Sequence, residues 1–209
     1  MTLEVEGLAN VPSEGPVILA ANHLSNQDVF PMQLSLERPV FFMAKAELFR
    51  SPALDWALRQ LGGFPVFRGE RDEWTIRHAH KVLENGQVLG IFPEGTRSHG
   101  RGLAAAKTGA ARLAIECGAP IVPLAIVGKT HPSIGSLRRG RVRLKFLRPI
   151  MPDSAESLQA LTTRVMLALA SALPRRLGGV YATVDTVFES DIGAREGRAD
   201  PATRTGMAG

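Results

Sequence analysis

The feature that most constrains the fold of this chain is a regular alternation between short apolar runs and stretches with helical periodicity. Strands that alternate with helices at this spacing form largely parallel sheets covered by helices. We therefore predict an α/β fold, a single domain with a mostly parallel (mixed) sheet flanked by helices. The predicted strands are 16–22, 39–45, 64–67, 87–92, 120–128 and 141–147, and the predicted helices are 29–37, 51–62, 72–86, 103–117 and 154–173.

Two local details refine this prediction. Ser154, with Ser157 close behind it, is expected to cap the last helix, because a serine hydroxyl accepts a hydrogen bond from a free N–H of the first turn. Pro123 lies inside the strand pattern of 120–128. Since proline cannot donate to a strand ladder, that position is typical of an edge strand or a bulge.

The composition is that of a globular protein, with 44% hydrophobic and 22% charged residues. We expect one domain over 1–189, followed by a disordered tail over 190–209, where the sequence is small, polar and without pattern. The one cysteine, Cys117, excludes an internal disulfide and fits a reducing compartment, with the thiol buried in a helix. The sequence shows neither a signal peptide nor an apolar run long enough to span a membrane, so we expect a cytoplasmic location.

The net charge of +5 favours an anionic partner, such as a phosphorylated small molecule, an acidic lipid surface or nucleic acid. Arg141, Arg143 and Lys145 share one face of a predicted strand, which is either an ordinary solvated face or an electrostatic dock for anionic lipid. The helix 51–62, with Trp56, belongs either to the membrane interface or to the core. A single tyrosine argues against nucleic-acid binding, which uses aromatic platforms.

The segment "NHLSNQD" places His23 and Asp28 five positions apart. On a regular helix they would point about 140° apart, so they meet only if His23 lies in a loop and Asp28 lies near a helix start. One interpretation is that Asp28 is simply a helix cap and His23 a loop residue. The other is a dyad, in which the imidazole takes a proton and the carboxylate orients it. Because no nucleophilic serine motif is present, the nucleophile of such a dyad would come from the substrate.

Three cationic residues follow predicted strands. Arg97 lies in "FPEGTRS", a tight turn directly after the strand 87–92, at the sheet edge where α/β proteins bind ligands. Gly95 in the same turn allows the backbone to approach a ligand closely. Lys45 and Arg68 end two further strands. Each cation alone is typical of a solvated surface, and the turn alone is compatible with an Arg–Glu pair, but together the three cations predict a phosphate clamp.

These motifs, with "KAEL", "GGFPVFR" and "IVPLAIVG", resemble in the same order the blocks of the glycerolipid acyltransferases of the 1-acylglycerol-3-phosphate acyltransferase type. The resemblance runs from about Gly7 to Gly128. It implies a glycerolipid-acyltransferase-like fold. It also implies transfer of an acyl group from acyl-CoA or acyl-carrier protein to a lysophospholipid hydroxyl, which gives phosphatidic acid.

The resemblance also implies roles for single residues. His23 would be the general base and Asp28 would orient it. The remaining site residues fall into two groups, with Lys45, Arg68 and Arg97 as contacts of the acceptor phosphate and Glu94, Gly95 and Thr96 as the walls of the acceptor pocket. No metal and no cofactor is expected besides the acyl carrier.

Relatives of this type commonly carry apolar helices before the histidine block, whereas the residues before His23 are polar here. We therefore expect peripheral attachment to the inner face of the membrane. Two alternatives stay open: an acyltransferase for another lysolipid or hydroxyl acceptor, and a non-catalytic basic domain that binds lipid or nucleic acid.

Overall fold

The structure, a computed structural model, describes residues 2–67, 73–128 and 141–182. Arg68 and the tail 190–209 lie outside the described residues. The elements in chain order are β1 (Thr2–Glu6), β2 (Val17–Ala21), α1 (Val29–Ser35), β3 (Val40–Lys45), α2 (Pro52–Gln60), β4 (Gly63–Val66), α3 (Glu73–Glu84), β5 (Val88–Ile91), α4 (Gly109–Cys117), β6 (Ile121–Gly128), β7 (Arg141–Phe146) and α5 (Leu158–Ala172).

Within the described residues the strands form one seven-stranded sheet in the order β1-β7-β6-β2-β5-β3-β4. The five strands from β6 to β4 in that order are mutually parallel. β7 runs antiparallel to β6, and β1 pairs in parallel with β7. The sheet is thus mostly parallel and mixed, which confirms the predicted fold class.

The two faces of the sheet carry unequal layers of helix. Ile18 and Ala20 of the central strand β2 face a core built with α3, α4 and α5. Val17 and Leu19 face the opposite side, where the short helices α1 and α2 and the N-terminal segment cover the strands. Every residue of β2 is buried, as expected for a strand enclosed on both faces.

The helix predicted over 103–117 begins only at Gly109. The backbone N–H of Leu103 donates to the carbonyl of Leu177, and the Leu103 carbonyl accepts from Val180. The N–H of Lys107 donates to the carbonyl of Pro93. Because tertiary partners take up these backbone groups, the segment 103–107 is irregular rather than helical.

Three further sequence-based expectations change. Ser157, not Ser154, caps α5, since its Oγ accepts from the Ala160 N–H at 3.1 Å. β1 was not predicted, because it is an edge strand of mostly exposed residues that lacks a continuous apolar run. Pro123 lies in the inner strand β6, so the edge-strand interpretation is wrong. The Pro123 carbonyl accepts the Leu147 N–H at 2.9 Å, but proline has no N–H to donate in return, and the ladder between β6 and β7 begins one residue later, at Leu124.

The basic residues of β7 face partners on the neighbouring edge strand. Arg141 contacts Glu4 at 3.3 Å, and Arg143 contacts Glu4 at 3.2 Å and Glu6 at 3.8 Å. Val142, Leu144 and Phe146 alternate with the basic residues and are buried. In the structure this strand is therefore half-buried, with a solvated and largely charge-paired face.

Gly179 provides a test of how tightly the C-terminal segment is packed on residues 102–103. A Cβ at Gly179 would lie 2.0 Å from the carbonyl oxygen of Leu103, whereas one at Gly100 would meet nothing within 4 Å. Both glycines have positive φ, +57° and +80°, so alanine is strained at each. We expect Gly179→Ala to lower the urea-unfolding free energy by roughly 1–3 kcal/mol more than Gly100→Ala. Equal losses would show that residues 102–103 move aside without resistance.

Candidate active site

The parallel strands bring the predicted site residues to one edge of the sheet. β2, β5, β3 and β4 are neighbours in that order and their carboxyl ends point the same way. His23 follows β2, the turn 92–98 follows β5, and Lys45 is the last residue of β3. This edge is the ligand-binding edge expected of an open α/β sheet.

His23 and Asp28 are in direct contact. His23 Nδ1 lies 2.9 Å from Asp28 Oδ2. Oδ2 also accepts the backbone N–H groups of Leu24 and Ser25 at 2.6 and 2.8 Å, and Oδ1 accepts the Ser25 hydroxyl at 3.1 Å. Asp28 stands at the N-cap position of α1, yet its side chain makes no capping bond. The interpretation of Asp28 as a simple helix cap is therefore wrong.

The His23 ring is held from a second side as well. The Phe92 ring stacks on it, with centroids 3.9 Å apart and planes 17° apart. With the proton on Nδ1 donated to Asp28, the neutral imidazole carries its lone pair on Nε2. The His23 side chain is 14% exposed and that of Asp28 is 0% exposed. The arrangement is thus a buried carboxylate behind an imidazole that is reachable from solvent.

Glu94 holds the backbone of His23 in place. Its Oε1 accepts the His23 N–H at 3.1 Å, and its Oε2 accepts the Ala104 N–H at 2.9 Å. From the same turn, the Ser98 N–H donates to the His23 carbonyl at 2.8 Å. Burial raises the pKa of the Glu94 carboxyl, and the two backbone donors offset part of that rise. The carboxylate is committed to backbone donors, so the Arg–Glu pair envisaged for this turn is not seen among the described residues.

The other predicted binding residues lie on the surface of this edge. Gly95 has φ +66° and its N–H closes the turn onto the Phe92 carbonyl at 2.9 Å. Thr96 and Arg97 are exposed. Lys45 is exposed too and contacts Glu47 at 3.1 Å. The structure thus places Lys45 and Arg97 at one sheet edge, and their predicted contacts with a phosphate stay predictions.

Two residues of this region were missed by sequence reasoning. The Lys107 side chain runs beside Gly95, so close that a Cβ on the glycine would lie 3.4 Å from Nζ. The sequence pattern placed Lys107 inside a predicted helix over 103–117, and for that reason Lys107 was not assigned to the turn at Gly95. Asn22 is buried, donates to the Ile126 carbonyl at 3.0 Å and accepts the Ile126 N–H at 2.7 Å. Its position directly before His23, at the end of a buried strand, was the available signal.

Elsewhere, Cys117 is partly buried and its Sγ lies 3.3 Å from His80 Nδ1. Burial raises the pKa of this thiol, as do the nearby carboxylates of Glu84 and Glu116, which fits the expected inert cysteine. Among the described residues no group of three or more His, Cys, Asp or Glu side chains is arranged to hold a metal. In the same ranges no helix combines the length and apolarity that crossing a membrane requires.

Comparisons with known proteins show what this chain is similar to. Residues 2–127 match a family model described as acyltransferase. A chloroplastic 1-acyl-sn-glycerol-3-phosphate acyltransferase of Arabidopsis thaliana is 32% identical over 163 residues, covering 75% of this chain and 46% of the relative. The 1-acyl-sn-glycerol-3-phosphate acyltransferase of Bacillus subtilis is 29% identical over 178 residues, 84% of this chain and 86% of that one.

Among solved structures, the 1-acyl-sn-glycerophosphate acyltransferase of Thermotoga maritima matches with a TM-score of 0.65 and 30% identity, covering 82% of this chain and 70% of that one. The chain spans about half the length of the curated plant and algal relatives that it matches. The resemblance inferred from the sequence motifs is confirmed.

The raised pKa of Glu94 predicts a pH dependence of stability. As pH rises from the ordinary carboxyl pKa of 4.5 through the raised folded pKa, the native state keeps a proton that the unfolded state releases. Stability contributed at Glu94 is therefore lost as pH rises through this window. We expect the unfolding free energy of the wild type, minus that of Glu94→Gln, to fall as the pH is raised above the ordinary carboxyl pKa of 4.5.

Glu37→Gln is the control for that measurement, because Glu37 is an exposed carboxylate on the surface. Urea unfolding of the three proteins across the pH range separates the buried carboxyl from simple charge removal. If the difference in unfolding free energy between the wild type and Glu94→Gln did not change with pH, burial would not raise the pKa of Glu94.

Proposed function

The chain belongs to the acyltransferase family, and on that premise we propose that it transfers a fatty acyl group from an acyl thioester to the free hydroxyl of 1-acylglycerol-3-phosphate, giving phosphatidic acid. The observation that carries the proposal is the 2.9 Å contact between His23 Nδ1 and a buried carboxylate. Support for the acceptor comes from the relatives named as 1-acyl-sn-glycerol-3-phosphate acyltransferases.

In the proposed reaction, His23 Nε2 takes the proton of the acceptor hydroxyl as its oxygen attacks the thioester carbonyl. The tetrahedral intermediate collapses, the carbon–sulfur bond breaks, and the leaving thiolate receives the proton from His23. The Asp28 carboxylate stabilises the imidazolium formed in between and keeps the ring oriented. Both substrates are bound in one site, so the attack proceeds as an intramolecular reaction would.

The environment of Asp28 suits this role. A buried carboxylate is stable only when its oxygens accept hydrogen bonds, and Asp28 accepts four, three of them from Leu24 and Ser25. These donors are in place before substrate arrives, so the negative charge needs no reorganisation during the reaction. A non-catalytic lipid binder would have no use for a buried carboxylate held against an accessible imidazole, and we favour the enzyme for that reason.

The acceptor phosphate would bind at the cations of the same sheet edge. Lys45 and Arg97 are exposed there, Arg68 follows β4, and Lys107 adds a cation beside the glycine turn. Glu94, Gly95 and Thr96 would form the wall of the acceptor pocket, with Glu94 acting from behind through the backbone of His23. The donor would be acyl-CoA or acyl-carrier protein, with no metal or other cofactor. A peripheral location on the inner face of the membrane fits a lipid acceptor.

We expect His23→Ala to lower kcat by roughly 10²- to 10⁴-fold, because the general base is lost. Asp28→Asn should also lower kcat, since it removes the charge that stabilises the imidazolium. His80→Ala, on α3 and away from the site, is the control and should stay near wild type. The assay follows thiol release from acyl-CoA with and without 1-acylglycerol-3-phosphate.

Release of thiol without acceptor would indicate a thioesterase instead of a transferase. Near-normal turnover of the His23→Ala variant would exclude the dyad.

Arg97→Ala tests the phosphate contact. A charge-assisted hydrogen bond to phosphate is lost, so the KM for 1-acylglycerol-3-phosphate should rise roughly 10- to 100-fold. A monoacylglycerol, which has no phosphate, should be affected much less. Equal effects on the two acceptors would contradict a phosphate role for Arg97.

A further inference from the structure

The outer side of the thin helical layer formed by α1 and α2 is unusually apolar. Three of its side chains are large, hydrophobic and exposed: Phe30 by 44%, Leu34 by 70% and Trp56 by 68%. At about 100° per residue they lie on the sides of α1 and α2 that face away from the inward-packed Val29, Met32 and Leu58. We call these three exposed residues the α1–α2 surface. Scattered single hydrophobic residues are normal on a protein surface, but a group of them on one layer marks an interaction site.

The two helices form a single fixed layer. Val29 and Met32 of α1, and Leu58 of α2, pack inward on the same face of the sheet. The Gln33 side chain joins them, since its Nε2 donates to the carbonyls of Val40 and Leu61 and its Oε1 accepts the Val40 N–H at 3.0 Å. The helices that carry the exposed apolar side chains are therefore attached to the sheet and linked to each other.

Charge decides what kind of partner this surface fits. α1 contains no charged residue. In α2, Asp55 and Arg59 neutralise one another in a contact of 2.8 Å. A surface that is apolar, has no net charge and carries an exposed tryptophan matches the interfacial zone of a phospholipid bilayer. In that zone an indole ring places its apolar part in lipid and its N–H in water.

The basic face of β7 is less suited to membrane docking than the α1–α2 surface. Its Arg141 and Arg143 are engaged by glutamates of β1. It also points to the opposite side of the sheet, because the buried residues of β7 face the layer that contains α1 and α2. A flat membrane cannot contact both faces at once.

The α1–α2 surface is also next to the candidate active site. Phe30 follows Asp28 by two residues, on the helix that begins where the dyad ends. If the acceptor is a lysophospholipid, its acyl chain is anchored in a bilayer, and docking through this surface brings His23 to the membrane at the level of the head group. The inference to this extent rests on the proposed function.

We propose that the α1–α2 surface docks on the membrane, inserting Leu34 and Trp56 into the interfacial zone of the bilayer through burial of apolar area and not through attraction to anionic lipid. Such binding depends on the apolar side chains and persists on neutral bilayers and at high salt. Electrostatic docking through β7 would require anionic lipid and would be lost at high salt.

The two tryptophans of the chain make the test direct. Trp74→Phe leaves only Trp56, and Trp56→Phe leaves only Trp74, which is exposed at the start of α3 on the opposite face of the sheet. Vesicles of phosphatidylcholine brominated in its acyl chains quench an indole that enters the bilayer. We expect quenching of Trp56 and none of Trp74. Quenching of Trp74 alone, or of neither residue, overturns the proposal.

Sedimentation with vesicles gives a second measurement on the full chain. Leu34→Ala with Trp56→Ala should lower the partition coefficient at least about tenfold on phosphatidylcholine vesicles. The matched control, Ile76→Ala with Trp74→Ala, removes comparable exposed side chains from α3 and should change it little. Arg141→Ala with Arg143→Ala should also change it little. A loss confined to this last pair, seen on vesicles with phosphatidylglycerol and abolished by salt, would assign docking to β7 and overturn the proposal.

Further measurements distinguish membrane docking from unfolding of the variant, from failure of the proposed function and from dimer formation. Acyl transfer to a short-chain, water-soluble acceptor should be unchanged in Leu34→Ala with Trp56→Ala, which shows that the variant is folded. Vesicle binding without any acyl transfer would leave docking standing and remove the proposed function. A wild-type dimer in sedimentation velocity that dissociates in this variant would make the surface a contact between copies of the chain and overturn docking.

Discussion

The candidate site depends on the hydrogen bonds that surround the buried carboxylate of Asp28. A carboxylate with no exposure to water requires donors on every side, and the chain supplies them from the three residues that lead out of β2. Folding of residues 23–28 around this charge shapes the loop, determines where α1 begins, and turns the His23 ring. One electrostatic requirement thus sets local conformation and chemistry together.

The loop is clamped from the neighbouring strands as well. Glu94 and Ser98, from the turn after β5, bind the N–H and the carbonyl of His23. Asn22, one residue earlier, is bonded in both directions to the backbone of Ile126 in β6. The strands on both sides of β2 therefore hold the residues around His23, which explains how an exposed sheet edge keeps an imidazole in one orientation.

The uneven covering of the sheet links this site to the surface beside it. The face with α3, α4 and α5 carries three helices of 12, 9 and 15 residues, whereas the other is covered by only two, α1 and α2, of 7 and 9 residues. Side chains that would be core in a thicker layer are exposed instead. Because α1 starts directly after Asp28, this thin layer is also next to the dyad.

The sequence alone determined the strand and helix order, the mostly parallel sheet and the family, because apolar periodicity and short motifs are local properties of the chain. It also identified His23, Asp28 and the glycine turn as candidate site residues. It did not reveal β1, whose pairing partner β7 lies far from it in sequence, nor the irregular segment 103–107, whose backbone bonds go to Pro93, Leu177 and Val180. Only the tertiary structure decided that Glu94 supports the His23 backbone, that Lys107 lies beside Gly95 and that Arg143 is engaged by Glu4. Each of these depends on groups distant in sequence, and the free energy that orders them is available only once the sheet has assembled.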